Sequence, residues 1–138
     1  MNVMDARASE VMESKSDVGS DDDAYVRANT MLSNWKTRIV DGRRCVKVMA
    51  KRLRSFELTV DDWLILDAIA KHGGITMSRI AEETVLPAAT LSRLVDRLTD
   101  EALVYRKANP FDRRQIQVYV SQRGMHLLEK VADDLEGE

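Results

Sequence analysis

Leu86-Pro87-Ala88-Ala89-Thr90-Leu91-Ser92-Arg93-Leu94-Val95-Asp96-Arg97-Leu98 is the stretch on which the fold turns. Leu91, Leu94, Val95 and Leu98 fall at i, i+3, i+4 and i+7, which gives a helix with one apolar stripe and one polar face. Pro87 suits the first turn of that helix, where a missing N–H costs no hydrogen bond. Just upstream, Thr76 through Ile80 and Ala81 to Val85 reads as a short helix capped by Thr76, and Leu86-Pro87 breaks the chain between the two. Two short helices joined by a tight turn make a helix-turn-helix, whose second member is sized to enter a DNA major groove. Ala88 and Ala89 permit close approach, Thr90 and Ser92 carry hydroxyls, and Arg93 and Arg97 are able to grip guanine or phosphate. Thr76 and Ser78, at the start of the preceding helix, are expected to meet phosphates. Helical hairpins inside ordinary cores share this pattern, so the flanking segments have to decide.

Downstream, Leu103 to Lys107 and Gln115 to Val120 read as strands, the second alternating strictly at Ile116, Val118 and Val120. Between them lies the turn-rich, charged loop Ala108 to Arg114. A hairpin at the exit of a recognition helix is a wing. Arg106, Arg113 and Arg114 are placed to reach an adjacent minor groove, and Asp112 to hold a guanidinium in position. The plainer alternative is an exposed hairpin whose charges keep it soluble.

Upstream, Thr59-Val60-Asp61-Asp62 supplies a cap and early acids for a helix whose buried face is Trp63, Leu64, Leu66, Ala68 and Ile69. His72-Gly73-Gly74 stops it, with His72 expected to meet carbonyls at the helix end. Tyr25 to Phe56 contains no proline and only Gly42, with apolar residues recurring at Met31, Leu32, Trp35, Ile39, Val46, Met49, Ala50 and Leu53. This predicts one helix some 30 residues long, about 45 Å, which outruns so small a core and calls for a second chain to cover it. Between Lys36 and Arg54 it carries eight bases and one acid, Asp41: a solvated face, or one that meets phosphates or the acidic N-terminal segment.

The chain has 138 residues, 44% of them hydrophobic, enough for one core of ordinary size. Its formal charge of −2 is unequally shared. Residues 1–24 hold seven acids and two bases, leaving 19 bases and 16 acids from Tyr25 onward. The Ser- and Asp-rich segment 1–23 reads as a disordered acidic tail. The expected layout is therefore tail 1–23, long dimerisation helix 24–57, winged helix-turn-helix 58–121 and a C-terminal helix 122–138 assisting the dimer. The fold class is mainly α with a small β-wing. No run of apolar residues is long enough to cross a membrane, and no basic-then-apolar signal opens the chain, so a cytoplasmic protein is expected. Cys45 is the sole cysteine, and no clustered partners suggest a metal or cofactor. A Gly-rich phosphate loop and a nucleophile-base-orienter set are both lacking, and His72 and His126 flank the whole recognition unit, which speaks against an enzyme.

From about Leu58 to Gly124 the sequence resembles the MarR (multiple-antibiotic-resistance regulator) family of bacterial transcription factors. The matching features are Leu86-Pro87, Thr90 through Leu98, Leu103-Val104, and Asp112-Arg113-Arg114 leading through Val118 and Val120 to Ser121 and Gly124. The resemblance implies a dimeric winged helix-turn-helix repressor on a pseudo-palindromic operator, released by a small ligand or by oxidation. By carry-over, Thr90, Ser92, Arg93 and Arg97 lie on the recognition helix, and Asp112 and Arg114 are the wing's acid and minor-groove arginine. It further implies a pocket for a small aromatic or anionic effector, for which Trp35, Arg38, Arg43, Trp63 and His72 are candidates, although large aromatics at helical spacing usually pack in cores. Cys45, between Arg44 and Lys47, is the candidate for redox sensing, although a lone helical cysteine is usually an inert packing residue. Two departures stand out: Ala102 occupies the turn where the family has glycine, and only 14 residues follow Gly124, where the family has long C-terminal helices. A winged-helix module that binds protein instead of DNA is the competing reading.

Overall fold

The computed structural model describes the backbone of residues 3–137 and the side chains of residues 20–137. It divides into two compact units, Met1–Cys45 and Val46–Glu138. The first unit is helix throughout its described residues and belongs to α1, Val3–Leu53. The expected boundary after Asp23 thus falls inside a helix, and the helix does not start at Tyr25. With no proline and one glycine, Gly19, before Tyr25, nothing local stops propagation once a long helix has nucleated. Tyr25, Met31, Leu32, Trp35 and Ile39 are all more than half exposed on it, so Trp35 is not a core residue.

In the second unit, α1 ends in a 3-10 turn, Arg54–Phe56, and Glu57 adopts a left-handed backbone. Helix α2, Val60–His72, begins as the sequence reading has it. Thr59 Oγ1 accepts from the Asp62 N–H (3.1 Å) and Asp62 Oδ2 accepts from the Thr59 N–H (3.0 Å), a reciprocal capping box. Its innermost side chains are Ile65, Leu66, Ala68 and Ile69; Ile65, outside the expected face, is fully buried, while Trp63 and Leu64 are half-buried. The helix closes at Gly73 (φ 59°) and Gly74 (φ 124°), left-handed positions that L side chains rarely adopt.

Next comes a strand too short for any periodicity to reveal, β1, Ile75–Thr76. Thr76 then caps α3, Met77–Thr84, and α4 follows at Ala88–Asp100 with Pro87 one place earlier than expected, as its N-cap. Strands β2, Val104–Asn109, and β3, Asp112–Val120, pair antiparallel, and β1 joins the far side of β3, giving the order β1-β3-β2. The expected charged loop is mostly strand: only Pro110 and Phe111 lie between the pair Asn109 and Asp112, beside a bulge at Ala108/Asn109. Helix α5, Gln122–Glu136, closes the chain. One core of Leu53, Ile65, Ile69, Ile80, Leu91, Val95, Leu98, Val104, Val118 and Val131 ties these elements together.

The end of the wing is clasped to α5 by backbone approach. Ser121 Oγ donates to the carbonyl oxygens of Ala102 (2.7 Å) and Leu103 (3.0 Å), and the same oxygen accepts from the Gly124 N–H (3.0 Å). A Cβ on Gly124 would stand 2.3 Å from the Leu103 carbonyl oxygen, which is why glycine occupies that buried helical position. Ala102 takes the left-handed conformation at φ 60°, as does Val85 at φ 55° in the turn between α3 and α4. Each is held there by the packing on either side at a cost of roughly 1–2 kcal/mol. Ala102→Gly is expected to raise the unfolding free energy by up to about 1 kcal/mol, net of the backbone entropy glycine loses on folding. Urea denaturation checks it, and a loss of stability would contradict the strain.

Candidate nucleic-acid interface

Helix α4 buries Leu91, Val95 and Leu98 and leaves Ala88, Ala89, Ser92, Arg93, Asp96 and Arg97 exposed, with Thr90 half-buried. Its outer face is therefore small and polar at the N-terminal end and charged further along. What fixes its pose is an ion pair: Arg97 Nη2 donates to Oδ1 of Asp62, a carboxylate only 3% exposed. Because Asp62 Oδ2 already serves the capping box, both carboxylate oxygens have donors and the buried charge is compensated. Arg97, expected on DNA, gives one guanidinium nitrogen to Asp62, which locks the last turns of α4 to the start of α2, while its side chain stays 46% exposed.

A second ion pair joins α4 to the wing. Arg106 Nη2 on β2 lies 2.6 Å from Asp96 Oδ1, so this expected wing contact is likewise engaged with the recognition helix. Beyond it the hairpin carries Arg113 and Arg114, both exposed. Asp112 does not hold a guanidinium: its Oδ1 accepts from the Arg114 backbone N–H (3.1 Å) and shapes the strand entry. Asn109 Oδ1 accepts from the Phe111 N–H (2.9 Å), and its Nδ2 donates to Gln115 Oε1 (3.0 Å). This bracing turns Phe111 outward at the tip, 97% exposed. No sequence signal distinguished Phe111 from a turn residue. Tyr105 and Tyr119 stack at 5.4 Å across β2 and β3 and stiffen the hairpin base, with Gly74 leaving room for the Tyr119 ring.

Helix, turn, helix and hairpin thus present one polar recognition face and one arginine-bearing wing, held together by two ion pairs. Residues 56–115 match the MarR family. Over those residues, less than half of the chain, the winged helix-turn-helix is similar to that family. Over 86 residues the chain is 30% identical to an uncharacterized HTH-type transcriptional regulator, YhbI, of Bacillus subtilis, covering 62% of this chain and 56% of that protein. The first curated relatives are spanned over only 56% to 62% of their lengths. Among solved structures, the transcriptional regulator BldR from Sulfolobus solfataricus superposes with a TM-score of 0.70 at 24% identity, over 77% of this chain and 76% of that one. A cysteine-to-serine variant of MarR from E. coli, complexed with operator DNA, does so at 0.64 and 21% identity, over 70% of each chain. These likenesses establish the fold.

Within this winged helix-turn-helix, Thr76 is half-buried, its Oγ1 accepting from the Arg79 N–H (3.4 Å), while Ser78 is exposed. His72 meets a carboxylate and not helix-end carbonyls: its Nε2 lies 2.6 Å from Glu83 Oε1, tying α2 to α3. The residues named for an effector pocket are not gathered in either of two cavities of the second unit. His72 lines one of about 310 Å³ with Thr76, Arg79 and Gln117, without Trp63. A larger one, about 940 Å³, lies among Phe56, Leu58, Ala102, Leu127 and the cations Arg123 and Lys130. Trp35 and Arg38 belong to the other unit, where the guanidinium sits 5.6 Å from the ring centroid. Cys45 is a free, exposed thiol.

The two exposed-face arginines of α4 should separate cleanly. Arg97→Ala strands a buried carboxylate and is expected to cost roughly 1–3 kcal/mol, less than a fully buried pair because Arg97 itself is half exposed. Arg93→Ala should leave thermal unfolding within about 0.5 kcal/mol of the parent. Equal melting temperatures for the two variants would show that the Asp62–Arg97 pair does not hold α4.

Proposed function

We propose that the chain is a sequence-specific transcriptional regulator, most simply a repressor, that binds duplex DNA as a homodimer on a pseudo-palindromic operator. The observation that carries this reading is the pairing of α4, with Ala88, Ala89, Thr90, Ser92 and Arg93 on its outer face, and a wing bearing Arg113 and Arg114, within a domain similar to the MarR family. Small residues allow the helix to sit close to base edges, Arg93 supplies a bidentate donor for guanine, and wing arginines suit the negative potential of a narrow minor groove. Thr76 and Ser78 serve phosphates at the head of α3. Arg97 and Arg106 act as positioning residues through Asp62 and Asp96. The operator complex of the E. coli MarR variant supports DNA as the ligand class. Dimerisation follows from the apolar residues exposed along α1, with α5 assisting, and two linked readers gain the affinity that one half-site lacks. A regulator of this kind acts in the cytoplasm, and among the described residues no helix is long and apolar enough to cross a membrane.

Signal response is the finer part of the proposal. A small aromatic or anionic effector finds suitable space in the 940 Å³ cavity, beside Arg123 and Lys130, in place of the tryptophan set. Oxidation at the exposed Cys45 is the alternative signal.

Fluorescence anisotropy of duplexes from the region upstream of the chain's own gene, across a salt series, tests the whole reading. Sequence-selective binding is expected to weaken steeply with salt, and Arg113→Ala/Arg114→Ala should lower affinity and flatten the salt slope by up to about two. Binding no better than to random duplex, unchanged in the variant, would turn the search to protein partners. The same titration with salicylate and with hydrogen peroxide reads the signals: release by salicylate supports the effector, release by peroxide that Cys45→Ser abolishes supports oxidation, and release by neither removes both.

A further inference from the structure

The tip of the wing presents an aromatic ring on a fixed support. Phe111 stands in a two-residue turn, Pro110-Phe111, whose flanking residues Asn109 and Asp112 pair across the hairpin. Asn109 holds that turn from both sides, its Oδ1 accepting from the Phe111 N–H and its Nδ2 donating to Gln115 Oε1. Beside the turn the pairing steps from Ala108 with Ile116 to Asn109 with Asp112, so Arg113, Arg114 and Gln115 of β3 bulge out against a single step of β2. The Asp112 carboxylate fixes the start of the bulge by accepting from the Arg114 N–H. Behind the tip, the stacked rings of Tyr105 and Tyr119 stiffen the hairpin. A single exposed apolar side chain is ordinary on a protein surface. What distinguishes Phe111 is that its backbone is held in place, with the ring 97% exposed and two exposed arginines bulged beside it.

The charge beside the ring says what it meets. An aromatic anchor for a protein partner sits in a packed patch that excludes water around it. Phe111 lies outside the hydrophobic core and has cations for neighbours along β3. Arginines drawn into a minor groove by its negative potential carry an adjacent ring with them, and in that groove the apolar surface to bury against is the face of a base pair. Apolar side chains that enter between two base pairs from the minor groove unstack them and kink the duplex. We propose that Phe111 is such a wedge, inserted at one base step beneath the wing while Arg113 and Arg114 grip the groove on either side of it. The proposal rests on the DNA-binding reading above and adds to it a deformation of the duplex and a sequence preference. Pyrimidine–purine steps, TA and CA/TG, unstack most easily, so the wedge selects one of them at a position where no hydrogen bond reads a base. On a two-fold symmetric operator each half-site carries its own kinked step.

The test uses the full chain and the duplex upstream of its own gene that it binds most tightly. In one series 2-aminopurine replaces adenine one position at a time, since every pyrimidine–purine step holds an adenine on one strand or the other; in a second, donor and acceptor dyes mark the two ends. The bound parent is expected to raise 2-aminopurine fluorescence at least about twofold at one step per half-site and to bring the duplex ends closer, as an unstacked and kinked step requires. Phe111→Ala should remove both signals and weaken binding by up to about tenfold while keeping the parent's salt slope, because no phosphate contact is lost. Phe111→Leu, still an apolar wedge, should keep the kink. Changing the responding step to purine–pyrimidine in both half-sites should weaken the parent by about tenfold and leave Phe111→Ala within about twofold. Thermal unfolding of both variants should match the parent, since the ring lies outside the core. Selective binding by the parent with no fluorescence rise at any position and no change in end-to-end transfer overturns the wedge and leaves the DNA reading standing. A kink that survives in Phe111→Ala overturns the wedge as well. A parent that binds this duplex no better than random sequence overturns both.

Discussion

The Asp62 carboxylate is the constraint on which the recognition unit depends. It is buried, it closes the capping box of α2 with one oxygen, and it receives the Arg97 guanidinium with the other. A buried charge is tolerated only when its lone pairs are used, so the beginning of α2 and the last turns of α4 are obliged to stay in register. Apolar packing through Leu91, Val95 and Leu98 fills the same contact but is non-directional, and alone it would let α4 slide or roll. The ion pair supplies the direction. From there the pose is passed on: Asp96, one residue before Arg97, holds Arg106 of β2, and the wing is set relative to the recognition helix.

The same reasoning accounts for the chain's tolerance of local strain. Val85 and Ala102 hold left-handed backbones at the two ends of α4, where glycine would sit without strain. Both turns are short, and the apolar anchors on either side (Ile80 and Leu91, Leu98 and Leu103) are buried, so the turn conformation is imposed by the core and not chosen by the turn residue. The wing end is then closed by the Ser121 hydroxyl and the glycine-only approach of Gly124 to the Leu103 carbonyl. Rigid scaffolding thus surrounds a polar surface whose uncommitted cations, Arg93, Arg113 and Arg114, face solvent.

Much of this was legible in the sequence, for definite reasons. Caps and stops are local, so Thr59, Thr76 and Gly73 marked their helix ends, and the spacing of Leu91, Leu94, Val95 and Leu98 marked the recognition helix. Strand alternation at Ile116, Val118 and Val120 located the wing. What escaped is non-local. Nothing near Arg97 in sequence signals its bond to Asp62, 35 residues away. Arg106 and His72 have carboxylate partners 10 and 11 residues away, on other elements, and β1 is too short to carry a period. The N-terminal extent of α1 was hidden by composition, because its Ser and Asp residues read as a tail.

A hydroxyl-radical footprint of the full chain on the upstream duplex it selects tests the central claim most directly. Two reader helices related by two-fold symmetry and flanked by wings should protect two half-sites about one helical turn apart, each bordered by minor-groove protection that Arg113→Ala/Arg114→Ala removes. A single protected half-site, or none, at concentrations that saturate the anisotropy signal would contradict a dimeric winged helix-turn-helix reader.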